Sequence, residues 1–278
     1  SKVREIEADK KIILNFKFDF SEVYQTPVWS TKYYFMNDDF VNMPPDASLH
    51  EKEKKRIEQN KTIDSCSRIF VSSRALVDDV GNVKKPVTVI LSGHDFNTNH
   101  KIKTYSRSLP IVCFMGFIHD TLEVEWIEML ASTNKFEICL IGPVESESVQ
   151  TKLSIYRNVR IDKPLVGNEL QAYLSEADAF IMPYKAVEIN TKASVPAKLF
   201  QYLACGRPVI SGPMPNLIEM PPYFVYQAYS KEEFVEKVNS AIREDDVAKA
   251  KERVDYAKKN TWDTRGELMT KIILEDQF

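Results

Sequence analysis

Residues 178–211, DAFIMPYKAVEINTKASVPAKLFQYLACGRPVIS, constrain the chain more than any other stretch. Ala179–Met182 is a short apolar run that stops at Pro183, the form of a fully buried strand. Residues 196–204 read as a helix, with Leu199, Tyr202 and Leu203 spaced three and four apart along one face. Gly206 stands just past its end, where a helix stop belongs. Residues 207–211 open another buried strand. Strand, loop, helix, glycine, strand is a βαβ unit. The loop at the carboxyl end of its first strand borders the ligand crevice of a parallel sheet. That loop, 184–195, carries Lys185, Glu188, Asn190, Thr191, Lys192 and Ser194, groups that bind anions and hydroxyls. The helix after it offers free N–H groups and a partial positive charge, which suit a phosphate.

The same alternation runs along the rest of the chain. Short apolar runs at 12–18, 31–36, 67–72 and 86–91 predict four strands, with helices at 48–65 and 74–80. A polar stretch, 97–109, reads as a linker. Six more runs follow, at 110–118, 136–141, 159–162, 179–182, 207–211 and 224–226. Helices are predicted at 122–131, 168–177, 196–204, 231–243, 246–260 and 262–274. Strands alternating with helices predict α/β architecture with parallel sheets. We expect two Rossmann-like domains, at 1–100 and 101–278, the second complete. The first lacks the Gly-rich opening turn of a doubly wound domain, since no glycine precedes Gly81. It is therefore expected to be incomplete, without its opening βαβ.

Composition narrows the function classes. A length of 278 residues fits about two domains. The net charge of −3 argues against a nucleic-acid or anionic-lipid surface spread over the whole molecule. The charged run 51–58, EKEKKRIE, is a solvated helix face with i,i+4 pairs. No apolar run approaches the ~20 residues that span a bilayer, and no signal peptide is evident. Cys113, Cys139 and Cys205 lie in apolar runs, Cys66 stands apart, and no C-x-x-C occurs. Reduced core thiols and a cytoplasmic setting are expected, with peripheral association at the inner face of the membrane at most. The four histidines are scattered and no D-x-D is present, so no metal site is expected. G-x-S-x-G and Walker A sequences are also absent.

The block PAKLFQYLACGRPVIS resembles the donor-nucleotide motif of bacterial GT-B glycosyltransferases, close to glycosyltransferase family 4 and its capsule and teichuronic-acid relatives. Their pattern there is P-x-K-x-x-E-Y-x-A-x-G-x-P-V-(I/V). Pro196, Lys198, Tyr202, Ala204, Gly206, Pro208 and Val209 fall in place. The acidic residue that takes the ribose hydroxyls in that family is Gln201 here, and its partner eight positions earlier is Ala193. A glutamine accepts one hydroxyl bond and donates another, without a carboxylate's charge-assisted strength. YYFMNDDF, SRIFVSSRAL and VILSGHDFN are similar to first-domain segments of the family. The resemblance covers roughly residues 30–275.

It implies a transferase that moves a sugar from a nucleotide-diphosphate donor to a saccharide or lipid-linked saccharide acceptor, in surface-polysaccharide assembly. Retention of configuration, no cofactor and no metal are implied with it. Lys198, with Lys192 second, is the expected cation for the leaving diphosphate. Gly116 either lets backbone approach the pyrophosphate or closes a simple turn. His119 points into the cleft or lies exposed. The turn at 162–167 frames the donor base in the family, which brings in Lys163 and Pro164. Glu188 and Asn190 are candidates for the sugar hydroxyls. Asp38 and Asp39 end a first-domain strand, as a base for an inverting reaction or as capping residues. The alternative reading is a non-catalytic nucleotide-sugar-binding protein or an inactive GT-B fragment.

Overall fold

A computed structural model describes residues 10–43, 47–81, 83–98, 107–185, 195–214 and 220–277. The chain divides into two compact units, Ser1–Ser92 with Glu188–Val195, and Gly93–Val187 with Pro196–Phe278.

The first unit is a four-stranded parallel sheet in the order β1-β2-β3-β4: β1 (Ile12–Asn15), β2 (Thr31–Met36), β3 (Arg68–Val71) and β4 (Val87–Val89). Helices α1 (Leu49–Ser65) and α2 (Ala75–Val80) connect its later strands. Ser48 starts α1 with a capping box. Its hydroxyl accepts from the Glu51 N–H, and the Glu51 carboxylate accepts from the Ser48 N–H at 2.8 Å. Tyr34, Met36, Ile63, Ile69, Val71 and Leu76 fill the core. The expected strand 12–18 ends at Asn15, because the Asn15 side chain bonds both backbone groups of Lys17 at 2.9 Å and turns the chain.

The second unit holds β5 (Ile111–Met115), α3 (Val124–Ser132), β6 (Glu137–Ile141), α4 (Glu147–Ser154), β7 (Val159–Asp162), α5 (Gly167–Leu174), β8 (Ala179–Met182), α6 (Ala197–Ala204), β9 (Val209–Ser211) and β10 (Val225–Gln227). It closes with α7 (Lys231–Arg243), α8 (Val247–Lys258) and α9 (Trp262–Glu275). All six strands are parallel, in the order β10-β9-β8-β5-β6-β7. Numbered within the unit and read from the other edge, this is 3-2-1-4-5-6, the doubly wound order. β8 is apolar at every position, as a strand covered on both faces must be.

One helix escaped the sequence reading. α4 carries only Val149 and Leu153 inward among polar residues, too faint a periodicity to stand out. Its start is fixed by Ser146, whose hydroxyl accepts from the Val149 N–H. Among the described residues, no helix is long and apolar enough to cross a membrane. All four cysteines are buried free thiols.

Candidate functional site

The strand order of the second unit reverses between β5 and β8, which lie side by side although two strands separate them in sequence. In an open parallel sheet, ligands bind outside the carboxyl ends of the strands at such a switch point. Gly116 follows β5 there, and Tyr184 follows β8.

The loop after β5 is held from both sides. The Ile118 N–H donates to the Pro143 carbonyl (2.8 Å) and the Glu145 N–H to the Ile118 carbonyl (3.0 Å). On the other side, the Glu123 N–H donates to the Pro183 carbonyl (2.7 Å) and the Lys185 N–H to the Thr121 carbonyl (2.8 Å). The backbone at the crevice floor is correspondingly close. Gly116 has φ +149° and Gly142 φ +147°, and a β-carbon on Gly142 would stand 2.0 Å from the Gly116 carbonyl oxygen.

Helix α6 brings its start to this floor. Pro196 precedes it and supplies no side-chain cap. Tyr202 ties the helix down. Its hydroxyl accepts the Met115 N–H at 2.7 Å, and its ring stacks on Phe180 with centroids 4.0 Å apart. Such a stack contributes about 0.5–1.5 kcal/mol beyond its buried area. One turn earlier on the same face, Lys198 reaches into the floor. Its Nζ lies 5.1 Å from the ring centroids of both Phe114 and Tyr184, and donates to the Tyr184 hydroxyl. A β-carbon on Gly116 would meet that Nζ at 2.4 Å. Desolvation pushes the Lys198 pKa down to about 8. Burial likewise pushes the Tyr184 hydroxyl well above its usual range, so it stays neutral. Among the described residues, no carboxylate pairs with Lys198. A half-buried cation without a counter-ion, at the start of a helix and at a switch point, is suited to an anion.

The other expected residues divide by place. Gly116 and Lys198 meet directly, and the space Gly116 leaves open is filled by the lysine amine. His119 lies on the same loop, half exposed, with its ring nitrogens 3.1 and 3.0 Å from the Thr121 hydroxyl. Lys163 and Pro164 follow edge strand β7 and are exposed. Gln201 sits on α6 three residues after Lys198, half-buried, and its side chain makes no hydrogen bond among the described residues. Glu188, Asn190 and Lys192 lie outside the described residues. Asp38 and Asp39 belong to the first unit. Asp39 is buried and accepts from both the backbone N–H and the side-chain amide of Asn42, at 3.2 and 2.8 Å. That is a local turn. The Asp38 carboxylate accepts the Asp39 N–H at 2.9 Å, and its pKa is raised by desolvation. Sequence reasoning missed Phe114, Tyr184 and Gly142. The proline before Tyr184 and the glycine after β6 were the available signals.

Residues 110–244 match the family model described as Glycosyl transferases group 1. A curated relative, TuaH of Bacillus subtilis (strain 168), named for a role in teichuronic acid biosynthesis, is 29% identical over 120 residues. That match covers 42% of this chain and 30% of the relative's length. Among solved structures, a sucrose-phosphate synthase from Thermosynechococcus elongatus superposes with a TM-score of 0.73 at 13% identity, over 99% of this chain and 75% of that one. TarM gives 0.69 at 14% identity, over 98% and 56%. WaaG, a glycosyltransferase involved in lipopolysaccharide biosynthesis, gives 0.64 at 14% identity, over 96% and 78%. Residues 110–244 therefore match the glycosyl transferases group 1 family, and the parallel α/β sheets of the chain match the fold of GT-B glycosyltransferase structures.

Proposed function

We propose that the protein transfers a sugar from a nucleotide-diphosphate donor to an acceptor hydroxyl, in the assembly of a bacterial surface polysaccharide, on the cytoplasmic side of the membrane. The observation that carries this reading is the Lys198 amine standing over Gly116 at the β5/β8 switch point. In such a transfer the bond from the anomeric carbon to the β-phosphate oxygen breaks, and a bond to the acceptor oxygen forms. Negative charge grows on the departing diphosphate. A fixed cation and helix N–H groups stabilise that charge most in the transition state, which is the condition for lowering the barrier. Lys198 and the start of α6 would do so without a metal or cofactor. With retention of configuration, which the likeness to glycosyltransferase family 4 supports, the acceptor proton passes to the departing phosphate oxygen.

Structures related in fold are described with UDP bound, a pneumococcal O-GlcNAc transferase and a TarM variant. This supports a uridine or similar nucleotide in the same crevice. A saccharide or lipid-linked saccharide acceptor is supported by the names of TuaH and WaaG. The neutral amide of Gln201 supports a second reading, a protein that binds nucleotide sugars without turning them over.

The first test is a panel of nucleotide sugars in a thermal-shift assay, because a ligand of the folded state raises its melting temperature. Calorimetry on Lys198→Ala follows. UDP or GDP affinity should fall about ten- to a hundredfold, the scale of one charge-assisted bond, while nucleoside affinity stays as it was. Equal losses for both would remove Lys198 from the phosphate site. Binding with no transferred product from any acceptor would favour the second reading.

A further inference from the structure

Lysine is a poor fixed charge. Its ammonium ends a flexible stem with four rotatable bonds, and holding it in one place costs rotamer entropy. A residue that restrains the amine therefore contributes to any site the amine serves. Phe114, Tyr184 and Gly116 surround Lys198 Nζ. The Phe114 ring is fully buried in the sheet core and meets Tyr184 edge-on, with centroids 6.1 Å apart and planes at 68°. Tyr184 is itself anchored at three points of its backbone and neighbourhood. Its N–H donates to the Met182 carbonyl (2.9 Å), and the Lys185 N–H donates to Thr121 (2.8 Å). Its own carbonyl lies where a β-carbon on Gly212 would come within 2.7 Å. The hydroxyl that Lys198 touches is thus carried on a rigid support.

We propose that Tyr184 is a positioning residue of this site: its hydroxyl and ring, with the ring of Phe114, hold the Lys198 amine over the Gly116 backbone, so that the cation stands at the phosphate position before a donor arrives. This rests on the donor-phosphate role given above to Lys198. The remaining titratable groups around the amine have other partners. The Tyr202 hydroxyl, one turn along α6, is turned onto the backbone of Met115. His119 lies against Thr121, and Asp120 accepts from the Ser146 hydroxyl at 3.0 Å. The β6 turn contributes Gly142, which has no side chain. Tyr184 is therefore the only side-chain hydrogen-bond partner of the Lys198 amine among the described residues.

The hydroxyl accepts from an ammonium, so it favours the charged lysine, and the neighbouring Phe114 ring adds cation–π attraction in the same direction. Removing the hydroxyl should lower the titration midpoint of Lys198 and let the amine wander. The test is Tyr184→Phe, which keeps ring and volume, read in two ways. The Lys198 titration is followed by carbon-13 NMR of the lysine side chain in the ligand-free protein, with Lys198→Arg to assign the signal. Affinities for UDP, inorganic pyrophosphate and uridine are measured at one pH. The expected result is a lower Lys198 midpoint, UDP and pyrophosphate affinity down at least threefold, and uridine affinity unchanged. Tyr184→Leu, which removes the ring as well, should move the same quantities further. An unchanged midpoint with unchanged UDP affinity in Tyr184→Phe overturns the inference, as does a uridine loss equal to the UDP loss. If the wild-type protein binds no nucleoside diphosphate, the proposed function fails, and the ligand-free titration still decides the role of Tyr184.

Discussion

The amine of Lys198 occupies the space that a side chain on Gly116 would need, with Nζ 2.4 Å from the β-carbon position. Gly142 meets the same backbone: a β-carbon there would stand 2.0 Å from the Gly116 carbonyl oxygen. The two glycines are required for different reasons, and alanine should separate them. At Gly116 the neighbour is the far end of a flexible side chain, so Gly116→Ala displaces the amine. UDP affinity should then fall toward the level of Lys198→Ala. At Gly142 the neighbour is backbone, which cannot step aside. Gly142→Ala should destabilise the protein by about 2–4 kcal/mol, from strain at positive φ and displaced chain. Denaturant unfolding of both variants beside UDP calorimetry on Gly116→Ala checks this. A Gly116→Ala protein with normal UDP affinity would show that the amine has room elsewhere.

A pKa of about 8 places the Lys198 titration within easy reach. A diphosphate favours the charged amine, so its bound-state pKa lies above the free value. Affinity is then full below about 8 and falls as pH rises through that value. Between the free and bound pKa, binding takes up a proton, visible as a heat that depends on the ionisation enthalpy of the buffer. Uridine should show neither effect. A flat UDP affinity from pH 7 to 9.5 would mean that the amine does not touch the phosphates.

Behind the site, Arg253 of α8 is fully buried and bonds three elements. Its Nε donates to the Gly206 carbonyl (3.1 Å) and its Nη1 to the Tyr223 carbonyl (2.8 Å), and Nη2 pairs with Asp245. Gly206 ends α6, so this side chain fixes where the helix of Lys198 stops. Arg253→Leu leaves the partly buried Asp245 beside Arg207 alone, at 3.9 Å, and two carbonyls without this donor. Breaking such a buried pair typically costs about 3–5 kcal/mol. Equilibrium unfolding in urea measures it, and a loss below about 1 kcal/mol would show that water replaces the guanidinium freely.

The parts of this fold legible in the sequence were those that local physics dictates. β2, β7 and β8 run between the residues expected, because apolar runs with abrupt polar ends admit one reading. α7 does too, since its apolar face is long and Ser230 caps it. Gly116 and Lys198 were identified as separate candidates. That they fill one another's space was not legible, because it depends on β5 and β8 becoming neighbours across the 63 residues between Met115 and Ala179. Tyr184 looked like a loop residue for the same reason. Nothing in the sequence singles out Arg253 within the expected helix 246–260, and only tertiary packing makes it a core residue.

The last prediction concerns His94, where the second unit begins. The segment is laced to the far end of the chain. The His94 N–H donates to the Asn260 carbonyl (3.2 Å), and the Trp262 N–H donates to the His94 carbonyl (3.0 Å). The buried ring uses both nitrogens. Nδ1 accepts the Phe96 N–H at 3.1 Å, which leaves Nε2 to carry the proton toward the Ala257 carbonyl at 3.0 Å. Only neutral imidazole can do this, since an imidazolium has no acceptor left for Phe96. Burial lowers the His94 pKa below its ordinary 6.5. A group with a depressed folded pKa contributes stability that is full above the unfolded value. As pH falls below about 6.5, the unfolded chain takes a proton that the folded one refuses, and stability drops by at most about 1.4 kcal/mol per pH unit from this residue. Other groups titrate in the same range, so the informative quantity is a difference. Stability is measured at pH 7.5 and 5.5 for the wild type and for His94→Gln, which keeps a donor and an acceptor but does not titrate. The glutamine variant should be less stable at pH 7.5 and lose less on acidification. Equal losses in the two proteins would mean that His94 takes up its proton in the folded state as readily as in the unfolded one.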